Sequence, residues 1–477
     1  MYAAHPAYLS PGDTAWQIMA ATLVGLQSIP GLAILYGGLV KKKWALNSAM
    51  MVLYAFSAVL ITWMLAGFSI GFGEPVHLGP GILSNLFGMP RPVMDALDSI
   101  GQAHVPLLQG SMPDFAFPQS ALVYFQFVFA AITPILLAGG ILGRMNFKAW
   151  MIFVPVWSAL VYSVGAFMLW GGGWLAQLGA VDYSGGYVIH VAAGISGFVA
   201  AAVIGPRLYA DRVDFPPNNL IMAMAGAGLL WLGWNGFNGG DPYFANQDMA
   251  AAVLNTNLAT ATALLTWLFM DMAFLDRASM VGAINGMICG LVAITPAAGF
   301  LNGWGALILG IAAGMIPWIT MNKIGPRTWL GKVDDTLGVL HTHAVAGAVG
   351  GLLVGILGDP RMVLYYGVGK TADISVDGLL YGGGFSQLWH QFVALAVIVL
   401  FNAVMTFLIL RILAIFMPLR MKDADLEIGD YAIHKEDPIP GVMGAPMENI
   451  APNKPSWDGP DTVGAAATTR HSPAGTD

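Results

Sequence analysis

His190, in "YVIHVAAGISG", and His343, in "LHTHAVAGAVG", are the two side chains of this 477-residue sequence whose type and setting invite chemistry. Each imidazole lies in an apolar run, where an ionisable ring is costly unless it has a partner or a task. His190 is followed by Gly194, Gly197 and Gly205, and His343 by Gly347, Gly350 and Gly358, so the spacings repeat. The first two glycines of each set fall on nearly the same helical face and let another backbone approach closely. The pattern predicts two tightly packed helices, each holding an imidazole toward one central path. Such a pair could relay protons, because imidazole titrates near neutrality. The alternative is a pair of neutral rings bonded to neighbouring helices.

Other chemistry fits less well. The histidines of "HTH" at 341–343 stand about 200° apart on a helix and cannot chelate one ion, and no Cys, Asp or Glu lies nearby at ligand spacing. No metal site is therefore expected. A haem held by His190 and His343 is geometrically open, one axial ligand from each helix, but no cofactor is expected. There is no Gly-rich phosphate loop, nucleophile elbow or intramembrane carboxylate pair, so the reading is not an enzyme. The single Cys289 excludes an internal disulfide and reads as packing. His390, near the outer start of the last span, is given no role.

What must position the histidines is a membrane bundle. Hydrophobic residues make up 57% of the chain and charged ones only 10%, and mean hydropathy is +0.68, values foreign to a soluble domain. Charge-free windows cover 14–40, 44–73, 120–143, 149–174, 183–206, 215–240 and 249–270. Each is near the roughly 20 residues that a helix needs to cross the hydrocarbon. The window 278–322 is too long for one crossing and divides at Pro296, Gly299 and "NGWG"; 336–358 and 378–410 complete eleven spans. Lys41, Lys42, Lys43, Arg144, Lys148, Arg207, Arg212, Arg277, Lys323, Arg327 and Lys332 gather on one side of this map. The other side has only Arg91, Arg361 and Lys370 among the basic residues, with eleven acids from Asp13 to Asp377. By the positive-inside rule the N-terminus is outside and the C-terminus cytoplasmic. An acidic outer face concentrates cations.

"AITP" occurs at 131–134, in the third span, and again at 293–296, in the eighth. Five spans separate these copies, as they separate the histidines, and an odd interval reverses the direction of crossing. The expected fold is an all-α membrane protein of eleven transmembrane helices, with an inverted repeat of helices 1–5 and 6–10 plus a long helix 11. Residues 1–418 form the transmembrane domain. Residues 419–477 read as a cytoplasmic regulatory tail whose distal part lacks the apolar content to fold alone. The outer connection from Gly73 to Gln119 is long enough to cap the outer mouth, and no cleavable signal peptide is expected. No nucleic-acid partner is expected.

Over nearly its whole length the chain resembles the Amt/Mep/Rh ammonium transporters. The carrying stretches are "QSIPGLAILYGGLVKKK", "FQFVFAAITPILLAGGILGRMNF", "MLWGGGWLAQLGAVDYSGGYVIH", "GWNGFNGG", "DDTLGVLHTHAVAG" and "LEIGDYAIHKED". "GFNGGDPY" and "LHTHAVAG" look closer to the Mep-like branch. The resemblance implies a homotrimer in the cell membrane, one pore per protomer, carrying ammonium or ammonia and accepting methylammonium. It implies that Phe125 and Trp157 recruit the cation, that Phe129 and Phe237 gate the pore, and that His190 and His343 line it. Because the third span enters from outside, Phe125 stacks above Phe129 on one face. Asp182 matches an acidic position near the recruitment site and is read as structural, capping the fifth helix. Asp241 stands where the best-known members carry a Ser that gives an oxygen to the cation, and it is placed with the recruitment residues. The tail segment resembles one that couples protomers and answers to a PII-type signalling protein. The alternative function is an ammonium sensor that signals through this tail.

Overall fold

The protein is described from a computed structural model covering residues 6–108, 115–213, 215–362, 364–366 and 372–437. Asp114, Lys370 and the distal tail expected to be disordered lie outside these residues.

Among the described residues, eleven apolar helices follow one another, with shorter helices between and after them: α1 (Pro11–Leu39), α2 (Lys42–Phe72), α3 (Gln119–Ala138), α4 (Phe147–Leu178), α5 (Gly186–Ile204), α6 (Leu220–Gly239), α7 (Gln247–Leu275), α8 (Met280–Ile294), α9 (Gly303–Arg327), α10 (Leu340–Leu357) and α11 (Ser386–Phe416). All but α8 are long and apolar enough to span a bilayer alone; α8 is a 15-residue helix, and the chain after it runs in turns to Phe300. The fold is thus an all-α membrane bundle. The long window that was divided at Pro296 and "NGWG" separates there into α8 and α9. The last window begins early: residues 379–381 form a separate short turn, and α11 runs on to Phe416. The β structure among the described residues includes a short antiparallel pair on the outer side, β1 (Leu364–Tyr366) with β2 (Ala372–Ile374).

Helix starts follow from side-chain chemistry. Ser10, Asn146, Asn219, Asn246, Ser279 and Asn302 each accept a first-turn backbone N–H, opening α1, α4, α6, α7, α8 and α9. Such a cap contributes about 1 kcal/mol. α2 is capped from far away in sequence, since the Asp430 carboxylate accepts from Leu46 N at 2.8 Å and Asn47 N at 2.9 Å. Residues 419–436 therefore pack as part of the same compact unit as the bundle.

The inverted repeat extends beyond the sequence echoes. In α4, Pro155 precedes a π-helical turn at Ser158–Tyr162; in α9, Pro317 precedes one at Thr320–Ile324, at the same interval. Proline removes an N–H from the ladder, and a wider turn accommodates the loss. The chain entering α5 pairs with the end of α8 (Tyr183 N to Pro296 O 3.3 Å, Ser184 N to Thr295 O 3.1 Å). The chain entering α10 pairs with the end of α3 (Thr336 N to Gly140 O 3.2 Å, Leu337 N to Gly139 O 3.1 Å). Each half thus completes the other.

α5 and α10 cross at their glycines. A Cβ on Gly194 would stand 2.4 Å from the Ala344 nitrogen, and one on Gly347 would stand 2.6 Å from the Gly186 carbonyl oxygen. Gly228, on α6, has open space where its Cβ would be. Gly194→Ala and Gly347→Ala should each destabilise the protein by about 1–3 kcal/mol, the usual range for overpacking. Gly228→Ala should be neutral or stabilising by up to about 1 kcal/mol, since alanine is the better helix former. Thermal melts of the detergent-solubilised variants check this; equal melting points for all three would show that the crossing is not tight.

Candidate functional site

α5 and α10 do not begin on Ser or Asn. Ahead of α5, the Asp182 carboxylate accepts from Gly185 N (3.2 Å), Tyr187 N (2.9 Å) and Val188 N (2.9 Å). Ahead of α10, Asp335 accepts from Val339 N (3.0 Å) and Leu340 N (2.9 Å). The structural role expected for Asp182 fits this geometry. Asp335 escaped the sequence reading, although it stands as far before His343 as Asp182 stands before His190. Burial pushes both carboxyls up to about 6, and the backbone N–H groups pull against it. A carboxylate at a helix start also faces the positive end of the helix dipole.

Both helices open with a π-helical turn, Gly186–Val191 and Leu340–Val345, and each turn carries a histidine. The two rings meet with centroids 5.5 Å apart and planes 17° from parallel. Above them runs an unbroken file of rings. Phe125 meets Phe129 at 4.8 Å, Phe129 meets Phe237 at 4.5 Å, and Phe237 meets His190 at 5.9 Å. Trp234 flanks the file, 4.6 Å from Phe237 and 5.5 Å from His190, with its indole N–H on Thr295 Oγ1 at 2.9 Å. Tyr243 lies over Phe125 at 5.9 Å, and its hydroxyl accepts from Gln126 Nε2 at 2.6 Å. Phe125, Phe129, Phe237 and His190 are fully buried, and His343 is 5% exposed. Both ring nitrogens of His190 and Nδ1 of His343 are buried without a hydrogen-bond partner. Buried polar atoms are rarely left so, and each one asks for a reason.

Trp157 is not brought to this file. It is buried lower in α4 and donates to Thr406 Oγ1 of α11 at 2.9 Å. The indole beside the outer part of the file is Trp170, 6.3 Å from Phe129 in an edge-on arrangement, with its N–H on the Asp182 carbonyl oxygen at 2.7 Å. The "WGGGW" run was the available signal: the helix breaks at residues 171–173, which ends the α4 rod beside the outer end of the file.

Asp241 follows the outer end of α6 and is 4% exposed. Its Oδ2 has no hydrogen-bond partner. Burial drives its carboxyl well above the usual range; the Ser184 hydroxyl opposes this and the Asp182 charge adds to it. His341 faces away from the file, as its spacing requires. It lines an inner cavity of about 590 Å³ with Leu39, Phe215, Met321 and Asp335, and its Nδ1 lies 3.1 Å from Thr320 Oγ1.

An all-α inverted-repeat bundle of apolar, membrane-spanning helices has the build of a membrane transport protein. The chain belongs to the ammonium transporter family, whose sequence profile, described as the Ammonium Transporter Family, matches residues 15–438. It is 51% identical over 435 residues to ammonium transporter 2 of Arabidopsis thaliana, covering 91% of this chain and 89% of that one. It is 50% identical over 442 residues to ammonium transporter 3 member 2 of Oryza sativa subsp. japonica, covering 90% of each. Among solved structures, Candida albicans Mep2 aligns with a TM-score of 0.75 at 28% identity, covering 92% of this chain and 94% of that one. Saccharomyces cerevisiae Mep2 gives 0.74 at 28%, covering 88% and 89%. The chain is a multi-pass protein of the cell membrane.

The two tryptophans give a direct test. Trp170→Leu should raise the ammonium concentration for half-maximal transport by about 2- to 30-fold, the equivalent of a lost cation–π contact of about 0.5–2 kcal/mol. Trp157→Leu should leave that concentration unchanged and lower the melting temperature instead. Concentration series and melts on both variants check this, and the reverse pattern would restore Trp157 to the site.

Proposed function

We propose that this protein recruits ammonium at an outer aromatic site, strips its proton, and conducts ammonia along the buried file of rings past His190 and His343. Phe125 and Trp170 hold the cation through their negative ring faces, with Asp241 beside them. Phe129 and Phe237 form the gate, and Asp182 holds the start of α5. The carrying observation is that the file ends on three buried ring nitrogens with no protein partner. Such atoms can exchange hydrogen bonds with a small polar molecule in transit. Its residues from Phe125 to Trp234 carry no charge, which disfavours an ion. Moving an ammonium-sized ion into a dry interior costs about 20 kcal/mol in the idealised limit and several kcal/mol after relaxation. Removing a proton at pH 7 costs about 4–5 kcal/mol even from a Lys-like ammonium group of pKa about 10.4. Deprotonation is the lower barrier.

The pore belongs to each chain, and a homotrimer would carry three of them. The tail segment around Asp430, docked on the start of α2, is where a PII-type signalling protein would act. Purified protein in vesicles, given an inward ammonium gradient, should show an ammonium-evoked current or a change of internal pH, and should take up labelled methylammonium. His190→Ala and His343→Ala should each reduce the response by at least about tenfold, the equivalent of roughly one lost hydrogen bond to the passing molecule. No response from the unmodified protein in either channel would sink transport and leave the sensor reading.

A further inference from the structure

Asp241 has more to do than attract a cation. α6 crosses from inside to outside, and Phe237 lies in its last turn. The backbone stays helical through Gly240 (φ −81°, ψ −24°), whose N–H bonds the Gly236 carbonyl at 2.9 Å. Asp241 therefore stands one turn outward of Phe237 on the same side of the helix. Its neighbour Gly240 presses on Phe125: a Cβ there would lie 2.3 Å from Cε2 of that ring. The loop is anchored, with Gln17 Nε2 donating to the Gly240 carbonyl at 2.7 Å and Trp16 Nε1 to that of Gly239 at 2.9 Å. Ser184, whose hydroxyl lies against Asp241, also donates to the Phe237 carbonyl at 2.9 Å. A carboxylate is thus fixed just outside the gate, sealed from bulk water, with Oδ2 uncommitted.

The other ionisable groups in its surroundings are Asp182 and the Tyr162 hydroxyl, and they are less free for the task. Asp182 is occupied by three backbone N–H groups. Tyr162, within electrostatic reach of both carboxylates, is a far weaker base than a carboxylate when protonated. No basic side chain is among the groups that act on Asp241.

We propose that Asp241 is the proton acceptor for ammonium at the outer face of the gate. Oδ2 takes one hydrogen of the bound cation as a proton; the nitrogen keeps the bonding pair and leaves as neutral ammonia, and Asp241 becomes a neutral carboxylic acid. The carboxyl must release that proton before the next cycle. Two costs fall together in this step. The cation loses its charge before the dry file, and a buried carboxylate, itself poorly solvated, is neutralised. The inference rests on the transport reading above.

The test compares unmodified protein, Asp241→Asn, Asp241→Glu and Asp241→Ser in vesicles, each first shown to match the unmodified protein in size-exclusion profile. Asp241→Asn and Asp241→Ser should lower the maximal ammonium-evoked flux by about 100-fold, within the range of general-base loss. The half-saturating concentration should change far less, and Asp241→Glu should recover much of the rate. Infrared difference spectra of the protein with and without ammonium should show a protonated-carboxyl band that Asp241→Asn abolishes, a readout independent of flux. Raised half-saturation with full maximal rate, or an unchanged band in Asp241→Asn, would overturn the assignment and leave Asp241 a recruitment residue. Silence of the unmodified protein would instead remove the transport reading itself.

Discussion

A helix that starts inside a membrane protein exposes backbone N–H groups where no water can meet them, and everything in the candidate pore depends on how this is solved twice. Peripheral helices open on Ser or Asn, which suffices where water is near. α5 and α10 are held instead by carboxylates, Asp182 and Asp335. Each carboxylate satisfies two or more donors at once and adds a charge that favours the helix dipole. With their starts fixed, both helices can take a wide first turn. That wide turn is what carries His190 and His343. The glycines beyond then let the two backbones touch, and ring spacing is set by backbone contact rather than by flexible side chains.

The inner ends are held by a different device. Arg144 is fully buried and spreads its guanidinium over the Gly205, Gly140, Leu142 and Asp334 carbonyls and the Thr336 hydroxyl. Arg207 grips Asp334 with two side-chain bonds at 3.0 and 2.7 Å. These contacts join the exit of α3, the exit of α5 and the entry to α10, where Asp335 sits. The same loop receives the chain after α11, through Asn146 N on the Leu419 carbonyl and Met421 N on the Arg144 carbonyl. A buried arginine keeps its charge because its donors are all spent on oxygens. Burial still draws it down to about 10.

The sequence carries span number and orientation clearly, because hydropathy and Lys and Arg placement respond to the membrane itself and not to tertiary detail. The histidine pair was legible for a related reason: inverted halves must repeat whatever the crossing requires. By that logic Asp335 was available from its distance to His343, and the Pro155 and Pro317 pair from their matching turns. The two tryptophans show the limit. α4 enters from inside, so Trp157, ten residues after Phe147, has risen only about 15 Å, too little to reach the outer rings. Trp170 reaches them, but its ring is aimed by the glycine break after it and by the bond to the Asp182 carbonyl. Direction of that kind is invisible to composition. Equally, nothing local to "GDYAIHKED" says that its aspartate caps a helix 383 residues away.

Charge placement finally decides what such a file of rings favours. Outside it, Asp182 and Asp241 stand beside aromatic faces, and on the transport reading proposed above ring faces and carboxyl oxygens both favour a cation. Inside it, from Phe129 to Trp234, no formal charge and no free carboxylate faces an ion, so a cation entering would lose its hydration without replacement. A neutral molecule meets the opposite balance. It leaves little hydration behind, and at the end of the file it meets imidazole nitrogens that have no other partner. On the transport reading proposed above, the discrimination lies in the contrast between the two regions, one suited to charge and the next closed to it. On that reading, a carboxylate standing at their boundary is the place where a change of charge costs least.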